Sequence, residues 1–326
     1  METSGLTLVV EPKRKNCLRL QKRDSYVCGM AEAAQTEREF ISPAFDRFLQ
    51  SYARSPNHPA KLRVFHWLYR TFRKDKPLNL NVSCGLRMKL RPTDHIESCL
   101  IFNDWHEEIT ARFIMANLSP GQSAFVAGAH IGYFVMLCAR AVGNKGIVIA
   151  CEPAPENLAN TLDHLQMNNL DAAVTILCAG LSDKPGLVPM HKPPERSRGL
   201  AVLGGDPEKT AYLARVTTIE QVLQETESPC PDLLQLDIEG FEWPALEGLG
   251  SLRPRILVIE YDPKHFARVG LSQQDFADFV RGMGYDLFTV TGDKLEGAGY
   301  FTENNLVAVR RGNDPPIWPH KQPTRS

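Results

Sequence analysis

The chain has 326 residues, of which 43% are hydrophobic and 23% are charged, proportions that are ordinary for a soluble globular protein. Its formal net charge of −1 at pH 7 argues against a protein that binds nucleic acid through bulk electrostatics. No run of about 18 uncharged apolar residues predicts a membrane span. The eight cysteines form no CxxC pair, so we expect reduced thiols in a cytoplasmic protein and no metal site.

The first 40 residues mix positive and negative charges and show little hydrophobic periodicity. A basic stretch runs from Lys13 to Arg23. We interpret residues 1–40 as a flexible N-terminal segment whose charges are solvated.

Residues 41–118 are predicted to form a helical and hairpin extension. Apolar and aromatic residues recur at helical spacing over Phe45–Phe72, and Pro56–Pro59 should divide that stretch into two helices. Leu78–Leu90 alternates polar and apolar residues as a hairpin does. Glu107–Leu118 predicts a third helix that leads into the next domain.

Residues 119–310 alternate strand and helix patterns, which predicts an α/β domain whose mostly parallel sheet is covered on both faces. The last two strands follow each other without a helix, so one of them must run antiparallel to a neighbour. We expect Pro185–Glu208 to be a lid or specificity loop and residues 311–326 to be a flexible tail. The predicted strands span about 123–128, 146–151, 173–178, 232–237, 255–261, 285–290 and 304–310. The predicted helices span about 132–142, 155–168, 217–225, 242–249 and 272–283.

A glycine turn joins the first core strand to a helix. The apolar strand Phe125–Ala127 enters Gly128-Ala129-His130-Ile131-Gly132, and the helix Tyr133–Val142 follows. Glycine lets the backbone turn sharply and approach a ligand, and the amides at a helix N-terminus can face polar ligand atoms. Glu152 ends the next strand, where a carboxylate can bind ribose hydroxyls. These features indicate a nucleotide-cofactor site.

The turn lacks the middle glycine that lets a backbone approach a pyrophosphate. It therefore favours S-adenosylmethionine (SAM), with the amino-acid end on the turn, the ribose on Glu152 and the adenine near Asp183. Tyr133 can face the sulfonium, and Trp105–Glu108 can close over the cofactor. Two alternatives stay open: a tight turn without a ligand, and a nicotinamide-dependent oxidoreductase.

Three carboxylates follow another fully apolar strand, Leu233–Leu236. They are Asp237, Glu239 and Glu242, and clustering of this kind raises the pKa of a carboxyl toward the range of a general base. His265 lies beyond the next strand and is another candidate base. One alternative is that Asp237 or Glu239 caps the following helix. Another is a Mg²⁺ site on these carboxylates, although no other hard ligand is identifiable in the sequence.

Together these segments resemble the FkbM family of SAM-dependent methyltransferases over about residues 105–310. The family pattern D-x-G-A-N-x-G corresponds to Val126–Gly132, and E-P-x-x-x-N corresponds to Glu152–Asn157. The pattern K-x-D-x-E-G-x-E corresponds to Gln235–Glu242. Three positions depart from the pattern: Val126, His130 and Gln235 stand where the family has Asp, Asn and Lys.

The resemblance implies a Rossmann-like class I methyltransferase fold, with a seven-stranded, mostly parallel sheet whose last strand is antiparallel. It implies methyl transfer from SAM to a hydroxyl of a sugar, glycan or natural product, so we expect a small-molecule or glycan acceptor. The alternative is a divergent domain that binds a ligand or partner without catalysis. From the residues and the resemblance together, the predicted catalytic residues are Asp237, Glu239 and His265. The predicted cofactor contacts are Gly128, Ala129, His130, Gly132, Tyr133, Glu152, Pro153, Asn157, Asp183 and Asp237.

Overall fold

The computed structural model describes residues 43–191, 210–263, 265, 270, 272–296 and 305–319. The predicted flexible segment at residues 1–40 lies outside the described residues, as does most of the predicted lid. Among the described residues, no helix has the length and apolar character needed to cross a membrane.

The N-terminal extension contains the two helices, the hairpin and the third helix predicted from the sequence, and one further helix. Its elements are α1 (Pro43–Arg54), α2 (Lys61–Leu68), β1 (Leu78–Val82), β2 (Leu86–Leu90), α3 (His95–Asn103) and α4 (Glu108–Asn117). A π-helical turn, Tyr69–Arg73, continues α2.

Helix α3 was not predicted because its apolar residues show almost no helical periodicity. It nevertheless begins at a clear capping residue. The carboxylate of Asp94 accepts hydrogen bonds from the amides of Ile96, at 3.0 Å, and Glu97, at 3.2 Å. An acid in this position satisfies amides of the first helical turn that have no partner within the helix.

The α/β domain follows the predicted order, with boundaries shifted by one or two residues. Its first part contains β3 (Ser123–Ala127), α5 (Tyr133–Val142), β4 (Ile147–Cys151), α6 (Pro155–Asn168), β5 (Val174–Leu177), β6 (Gly180–Leu181) and β7 (Gly186–His191). Its second part contains β8 (Thr210–Thr217), α7 (Ile219–Glu225), β9 (Leu233–Leu236), α8 (Glu242–Glu247), β10 (Ile256–Glu260), α9 (Gln273–Gly282), β11 (Tyr285–Thr289) and β12 (Asn305–Arg310).

The main sheet has seven strands in the order β11-β12-β10-β9-β3-β4-β5. Strand β12 runs antiparallel to both of its neighbours, and the β10-β9-β3-β4-β5 pairs are parallel. This is the predicted class I methyltransferase arrangement. Strand β3 lies where the chain order reverses, and the carboxyl ends of β3 and β9 are therefore the expected position of a ligand crevice.

A second, three-stranded sheet of order β6-β8-β7 was not predicted. Strand β7 uses the first residues of the stretch that we expected to be a lid, and it pairs antiparallel with β8. One face of this small sheet packs on the main domain, where Met190, Ala214 and Val216 form a buried apolar cluster with Ala154. Alternation of exposed and buried residues over Leu213–Val216 fits this one-sided packing.

The described part of the C-terminal segment, residues 311–319, packs against the extension. The Trp318 ring lies 5.0 Å from the Phe113 ring and 5.4 Å from the Phe288 ring. Ile317 and the Asn117 side chain exchange two hydrogen bonds of 2.9 Å each. The flexible tail predicted from residue 311 thus begins with a segment that is held in place by an aromatic cluster.

Candidate functional site

The glycine turn after β3 contains three residues in the left-handed backbone region. Gly128, His130 and Gly132 have φ angles of 81°, 47° and 87°. The amides of Gly128 and Ala129 both donate to the carbonyl of Cys151 at 3.0 Å, which ties the turn to the end of β4. The chain therefore reverses tightly at the carboxyl edge of the sheet, at a cost that glycine minimises.

Two of these positions also leave no space for a side chain. A Cβ on Gly128 would lie 1.8 Å from the carbonyl oxygen of Asp237. A Cβ on Gly132 would lie 2.7 Å from Cγ2 of Thr161 on α6. The glycines are thus required by close contacts with β9 and α6, and the turn lies directly against the segment that carries the acidic residues.

Glu152, at the end of β4, is buried and hydrogen-bonded. One carboxylate oxygen accepts from the amide of His130 at 2.7 Å. The other accepts from the amide of Ala154 at 2.9 Å and from the side chain of Asn157 at 3.3 Å. Burial raises the pKa of Glu152, and these hydrogen bonds oppose the increase. A carboxylate offers about four acceptor positions, so about one remains for a ribose hydroxyl.

A buried histidine that sequence reasoning missed supports the turn from the other side. His164 lies on α6, and its Nε2 must accept because its partner at 3.0 Å is the amide N–H of Lys89. Its Nδ1 then donates to the carbonyl of Ile131 at 2.8 Å. Burial lowers the pKa of His164 and keeps the ring neutral. A single histidine in an amphipathic helix gives no sequence signal for this role.

Two further histidines near the turn are also kept neutral. Burial is the main cause that lowers the pKa of His130. Burial, followed by the nearby His130, lowers the pKa of His106 to about 4. The His106 ring lies 6.3 Å from the Tyr133 ring and 6.0 Å from the Phe134 ring, so the segment before α4 covers the start of α5.

Tyr133 begins α5, and its hydroxyl lies 2.9 Å from the hydroxyl of Ser83 in the β1–β2 hairpin. Burial raises the pKa of Tyr133 to about 12. Its side chain is only 3% exposed. In this structure the hydroxyl therefore links the hairpin to the helix that follows the glycine turn.

Asp237 and Glu260 lie side by side at the carboxyl ends of β9 and β10. Register pairing of Leu236 with Ile259 places the next residue of each strand at the same level. The two carboxyls share a hydrogen bond, and the pKa of each is raised, mainly by burial and then by neighbouring carboxylates. The first of those neighbours for Asp237 is Glu107. One proton is therefore held between Asp237 and Glu260.

Glu239 and His265 form a second pair at this edge. An oxygen of Glu239 lies 3.9 Å from Nε2 of His265. Burial, and then the charge of Asp262, raises the pKa of Glu239. Glu239 has a φ angle of 55°, and a Cβ on Gly240 would lie 3.0 Å from Cβ of His265. The strained loop and its glycine therefore place His265 against Glu239.

Glu242 and Glu107 complete the acidic cluster. Glu242 accepts hydrogen bonds from the amides of Ile238, at 3.0 Å, and Gly240, at 3.2 Å, and burial raises its pKa to about 7. Glu107 accepts from the Asn305 side chain at 2.9 Å, and burial raises its pKa as well. The sequence placed Glu107 in a segment that can close over the cofactor, but its place beside Asp237 was not predicted, because it depends on how α4 docks on the sheet.

The same cluster contains the carboxylates that could hold a cation. One oxygen each from Asp237, Glu239 and Glu260 lies within 4.8 Å of the others. Among the described residues this is the group with metal-ligand spacing. Sharing of a proton by Asp237 and Glu260 already explains how two carboxyls can lie so close together.

Asp183 is the residue that the sequence predicted as the adenine contact. It follows β6, is exposed, and accepts a hydrogen bond from the Ser182 hydroxyl at 2.9 Å, which is the main cause of its lowered pKa. The Ser182 carbonyl packs at Gly248, where a Cβ would come within 2.4 Å of it. Gly248 follows α8, so Asp183 lies at the opposite end of this helix from Glu242.

Tyr212 of β8 lies close enough to Glu152 to be affected by its charge. Burial and then the charge of Glu152 raise the pKa of the Tyr212 phenol. Tyr212 is two residues before Ala214, whose side chain packs with Ala154, so both side chains are on the face of β8 that points toward the end of β4. No sequence motif identified Tyr212, because the small sheet that carries it was not predicted.

Residues 127–287 match the sequence model of the methyltransferase FkbM domain. The chain contains an FkbM methyltransferase domain. This match covers the glycine turn, Glu152 and every member of the acidic cluster except Glu107. No curated protein sequence matches the chain.

Solved structures with the methyltransferase fold are similar to the chain at low sequence identity. A SAM-dependent O-methyltransferase from Thermotoga maritima is 13% identical, with a TM-score of 0.40, over 76% of this chain and 83% of that chain. The precorrin-6y C5,15-methyltransferase from Geobacter metallireducens GS-15 is 14% identical, with a TM-score of 0.36, over 63% and 89%. A Streptococcus mutans protein solved in complex with SAH is 11% identical, with a TM-score of 0.38, over 62% and 95%.

Two of the three departures from the FkbM pattern are neighbours in the sheet. Val126 of β3 pairs directly with Gln235 of β9. Both are buried, at 0% and 3% exposure, on the same face of the sheet. The family pattern has an acid and a lysine at these positions, so here a pair of opposite charges is replaced by a neutral pair. Replacing both members leaves no buried charge without a partner.

Proposed function

We propose that the chain transfers a methyl group from SAM to a hydroxyl of a sugar, glycan or natural product. The observation that carries this proposal is the contact between Gly128 and the carbonyl of Asp237, where a Cβ would lie at 1.8 Å. This contact joins the turn that would hold the cofactor to the carboxylates that can accept a proton. Both lie at the carboxyl edge of the sheet, where ligands bind in folds of this type.

The residues at the turn fit SAM. Gly128 to Gly132 would receive its amino-acid end, since backbone amides and glycines allow close approach. Glu152 would bind the ribose through its remaining acceptor position, while His130 and Asn157 hold the carboxylate in place. Pro153, Ala129 and Tyr212 would line the same crevice. The adenine contact proposed for Asp183 would require the ligand to reach the far end of α8.

The proton-accepting group would be one of the clustered acids or His265. When bound, SAM supplies an electrophilic methyl group, and the protein must place an acceptor oxygen in line with it and remove the hydroxyl proton. Glu239 lies 3.9 Å from His265 and would orient the ring and stabilise its protonated form. Asp237 already shares a proton with Glu260, so it would position the acceptor rather than take the proton.

Location in the cytoplasm also belongs to the proposal. Six cysteines among the described residues are free, and burial raises the pKa of Cys138 to about 12. Thiols that are buried and protonated are unreactive, and free thiols are typical of a reducing compartment.

The first test is calorimetric titration of the purified protein with SAM and with SAH. We expect micromolar affinity, about −8 kcal/mol, for both compounds. Absence of heat from a protein that is folded by circular dichroism would contradict the proposed cofactor.

A second test separates binding from turnover. With labelled SAM and a panel of hydroxylated acceptors, Glu239→Gln and His265→Asn should lower the methyl-transfer rate while leaving SAH affinity unchanged. Chelation of divalent cations should have no effect on the rate. Tight SAM binding by wild type without transfer to any acceptor would favour the alternative, a domain that binds without catalysis.

A further inference from the structure

The N-terminal extension exposes a continuous strip of large apolar side chains. Phe48, Leu62, Trp67 and Phe72 are 52%, 60%, 60% and 50% exposed. The aromatic rings are in contact through Phe45, with centroid distances of 6.1 Å to Phe48 and 5.3 Å to Phe72. The Trp67 and Phe72 rings are 6.2 Å apart. An exposed apolar strip of this size marks an interaction surface more often than chance.

The strip is separate from the residues that pack these helices on the protein. Helix α1 buries Leu49 and Ala53, and α2 with its π-helical turn buries Phe65 and Tyr69. These inward residues already satisfy the hydrophobic periodicity of both helices. The outward aromatic residues therefore add nothing to the core, and their exposure requires another explanation.

Cations surround the strip. Residues 61–76 include six Lys or Arg and one Asp. Arg47, Arg63, Arg70 and Lys74 are exposed, and none of them forms an ion pair within the part of the chain that the structure describes. In contrast, Arg73 is buried and lies 3.3 Å from the carboxylate of Asp46. We define the aromatic–basic face by its exposed residues. They are Phe48, Leu62, Trp67 and Phe72, with the cations Arg47, Arg63, Arg70 and Lys74.

A cleft opens on this face. Its volume is about 680 Å³, and it lies between α2 and the loop at Pro92. Arg63, Trp67 and Arg70 are on its wall. Two guanidinium groups beside an indole ring match an anionic head group that carries an apolar body.

We propose that the aromatic–basic face docks the protein on a membrane surface that contains anionic phospholipids. Trp and Phe side chains insert at the level of the lipid head groups, and Lys and Arg neutralise lipid phosphates and carboxylates. Anionic lipids are concentrated in the cytoplasmic leaflet, where the proposed cytoplasmic location would place the protein. The surface is separate from the FkbM site, and the inference does not depend on methyl transfer.

The positive charge of the face and the arrangement of its rings argue against other binding partners. The face cannot be covered favourably by the stretch Lys13–Arg23, which adds six more cations, or by the same face of a second copy. Phe72 meets Phe45 and Trp67 edge-on, with interplanar angles of 62° and 86°. Rings arranged edge-on do not form the parallel platform on which successive nucleic-acid bases stack.

The test is flotation of the full-length protein with two kinds of vesicle. One consists of phosphatidylcholine alone, and the other contains about a third phosphatidylserine. We expect binding to the second kind only, with affinity that falls as salt increases. Trp67→Ala with Phe72→Ala should weaken binding about tenfold or more, because both rings leave the interface. Arg63→Ser with Arg70→Ser should weaken it roughly thirtyfold and reduce the salt dependence.

Matched controls lie on the small sheet. Leu187 and Leu213 are 66% and 58% exposed, and Arg215 is exposed beside them. Leu187→Ala with Leu213→Ala, and Arg215→Ser, should leave vesicle binding unchanged. Every variant should retain wild-type circular dichroism and unfolding temperature, which shows that it is folded without any assay of methyl transfer.

Three results would overturn the proposal. The first is failure of the wild-type chain to float with the phosphatidylserine vesicles. The second is equal loss of binding in the face variants and the small-sheet controls. The third is that the face variants lower the affinity for homopolymeric RNA, or the self-association measured by sedimentation, and leave vesicle binding unchanged.

Discussion

Acidic residues end two parallel strands of the same sheet, but their surroundings differ. Glu152, after β4, accepts three hydrogen bonds from N–H groups. Asp237 and Glu260, after β9 and β10, face each other and share one hydrogen bond. Glu152 is buried, whereas Asp237 and Glu260 are half-buried, so the two regions differ in exposure as well as in the number of donors. A carboxylate with N–H partners is suited to hold a ligand, whereas two facing carboxyls without such partners hold a proton between them.

Burial suppresses positive charge on histidines in one region and negative charge on carboxylates in the other. Near the glycine turn, burial keeps His106, His130 and His164 neutral. At the acidic cluster, burial keeps carboxyls protonated, as it does for Glu242. The two regions must therefore respond to pH with opposite signs, which gives a way to distinguish them experimentally.

The largest expected effect concerns the pair that connects the two regions. Val126→Asp or Gln235→Lys alone should lower the free energy of unfolding by about 3–5 kcal/mol, because each buries a charge without a partner. The double variant should be more stable than the sum of the two single changes predicts. Urea unfolding of all four proteins measures this coupling.

Additivity of the two single changes would mean that Val126 and Gln235 do not act as a pair. Gln235→Leu is the control, since Oε1 of Gln235 is buried without a hydrogen-bond partner in the described structure. We expect this change to be neutral or stabilising.

Glu152→Ala should be destabilising as well as harmful to SAM binding. It removes the acceptor for the amides of His130 and Ala154, at about 1–3 kcal/mol for each amide left without a partner. Unfolding and SAH titration should be measured on the same samples. Glu156→Ala, which changes an exposed acid nearby, should affect neither quantity. Full SAH affinity in folded Glu152→Ala would refute the ribose assignment.

Glu242 should make the protein less stable as pH rises. Its folded pKa of about 7 lies above the ordinary value of 4.5, so the folded state binds the proton more tightly than the unfolded state. Stability is thus lost between about pH 4.5 and 7, by up to about 1.4 kcal/mol per pH unit. Glu242→Gln should flatten this part of the stability curve and be the more stable protein at pH 8. Glu247→Gln, on the same helix, should leave the slope unchanged.

His106 should act in the opposite direction. Its pKa falls from 6.5 to about 4 on folding, so the unfolded state binds more protons in that interval. Stability should therefore decrease as pH falls from about 6.5 toward 4. His106→Phe should reduce this loss, and a proton NMR titration of His106 should show a neutral ring at pH 6. A ring that is protonated at pH 6 would contradict the burial argument.

The smallest effect is expected for the link between the hairpin and α5. Tyr133→Phe removes the hydrogen bond to Ser83 and should cost about 0.5–1.5 kcal/mol of unfolding free energy. Ser83→Ala should give a similar loss, and the double variant little more than either. If Tyr133→Phe instead lowered SAM affinity without changing stability, the hydroxyl would belong to the cofactor site.

The periodicity of apolar residues, and the glycines and prolines between apolar runs, predicted most of the fold. Apolar runs bounded by glycine and proline gave the seven strands of the main sheet, and their spacing gave the parallel arrangement. The segments that were missed lack such signals. Helix α3 has no amphipathic period, and β7 and β8 form a sheet only because chain segments 19 to 30 residues apart pair with each other.

Chain order by itself thus determined the class of fold, the glycine turn, and the acids at the strand ends, because local backbone geometry and hydrophobic pattern carry this information. Tertiary structure alone decided which of these residues meet. Contact of Gly128 with Asp237, the pairing of Val126 with Gln235, and the approach of Glu107 to the acidic cluster all join distant segments. These contacts depend on the register of the sheet or on the docking of a helix. No short stretch of residues encodes sheet register or helix docking.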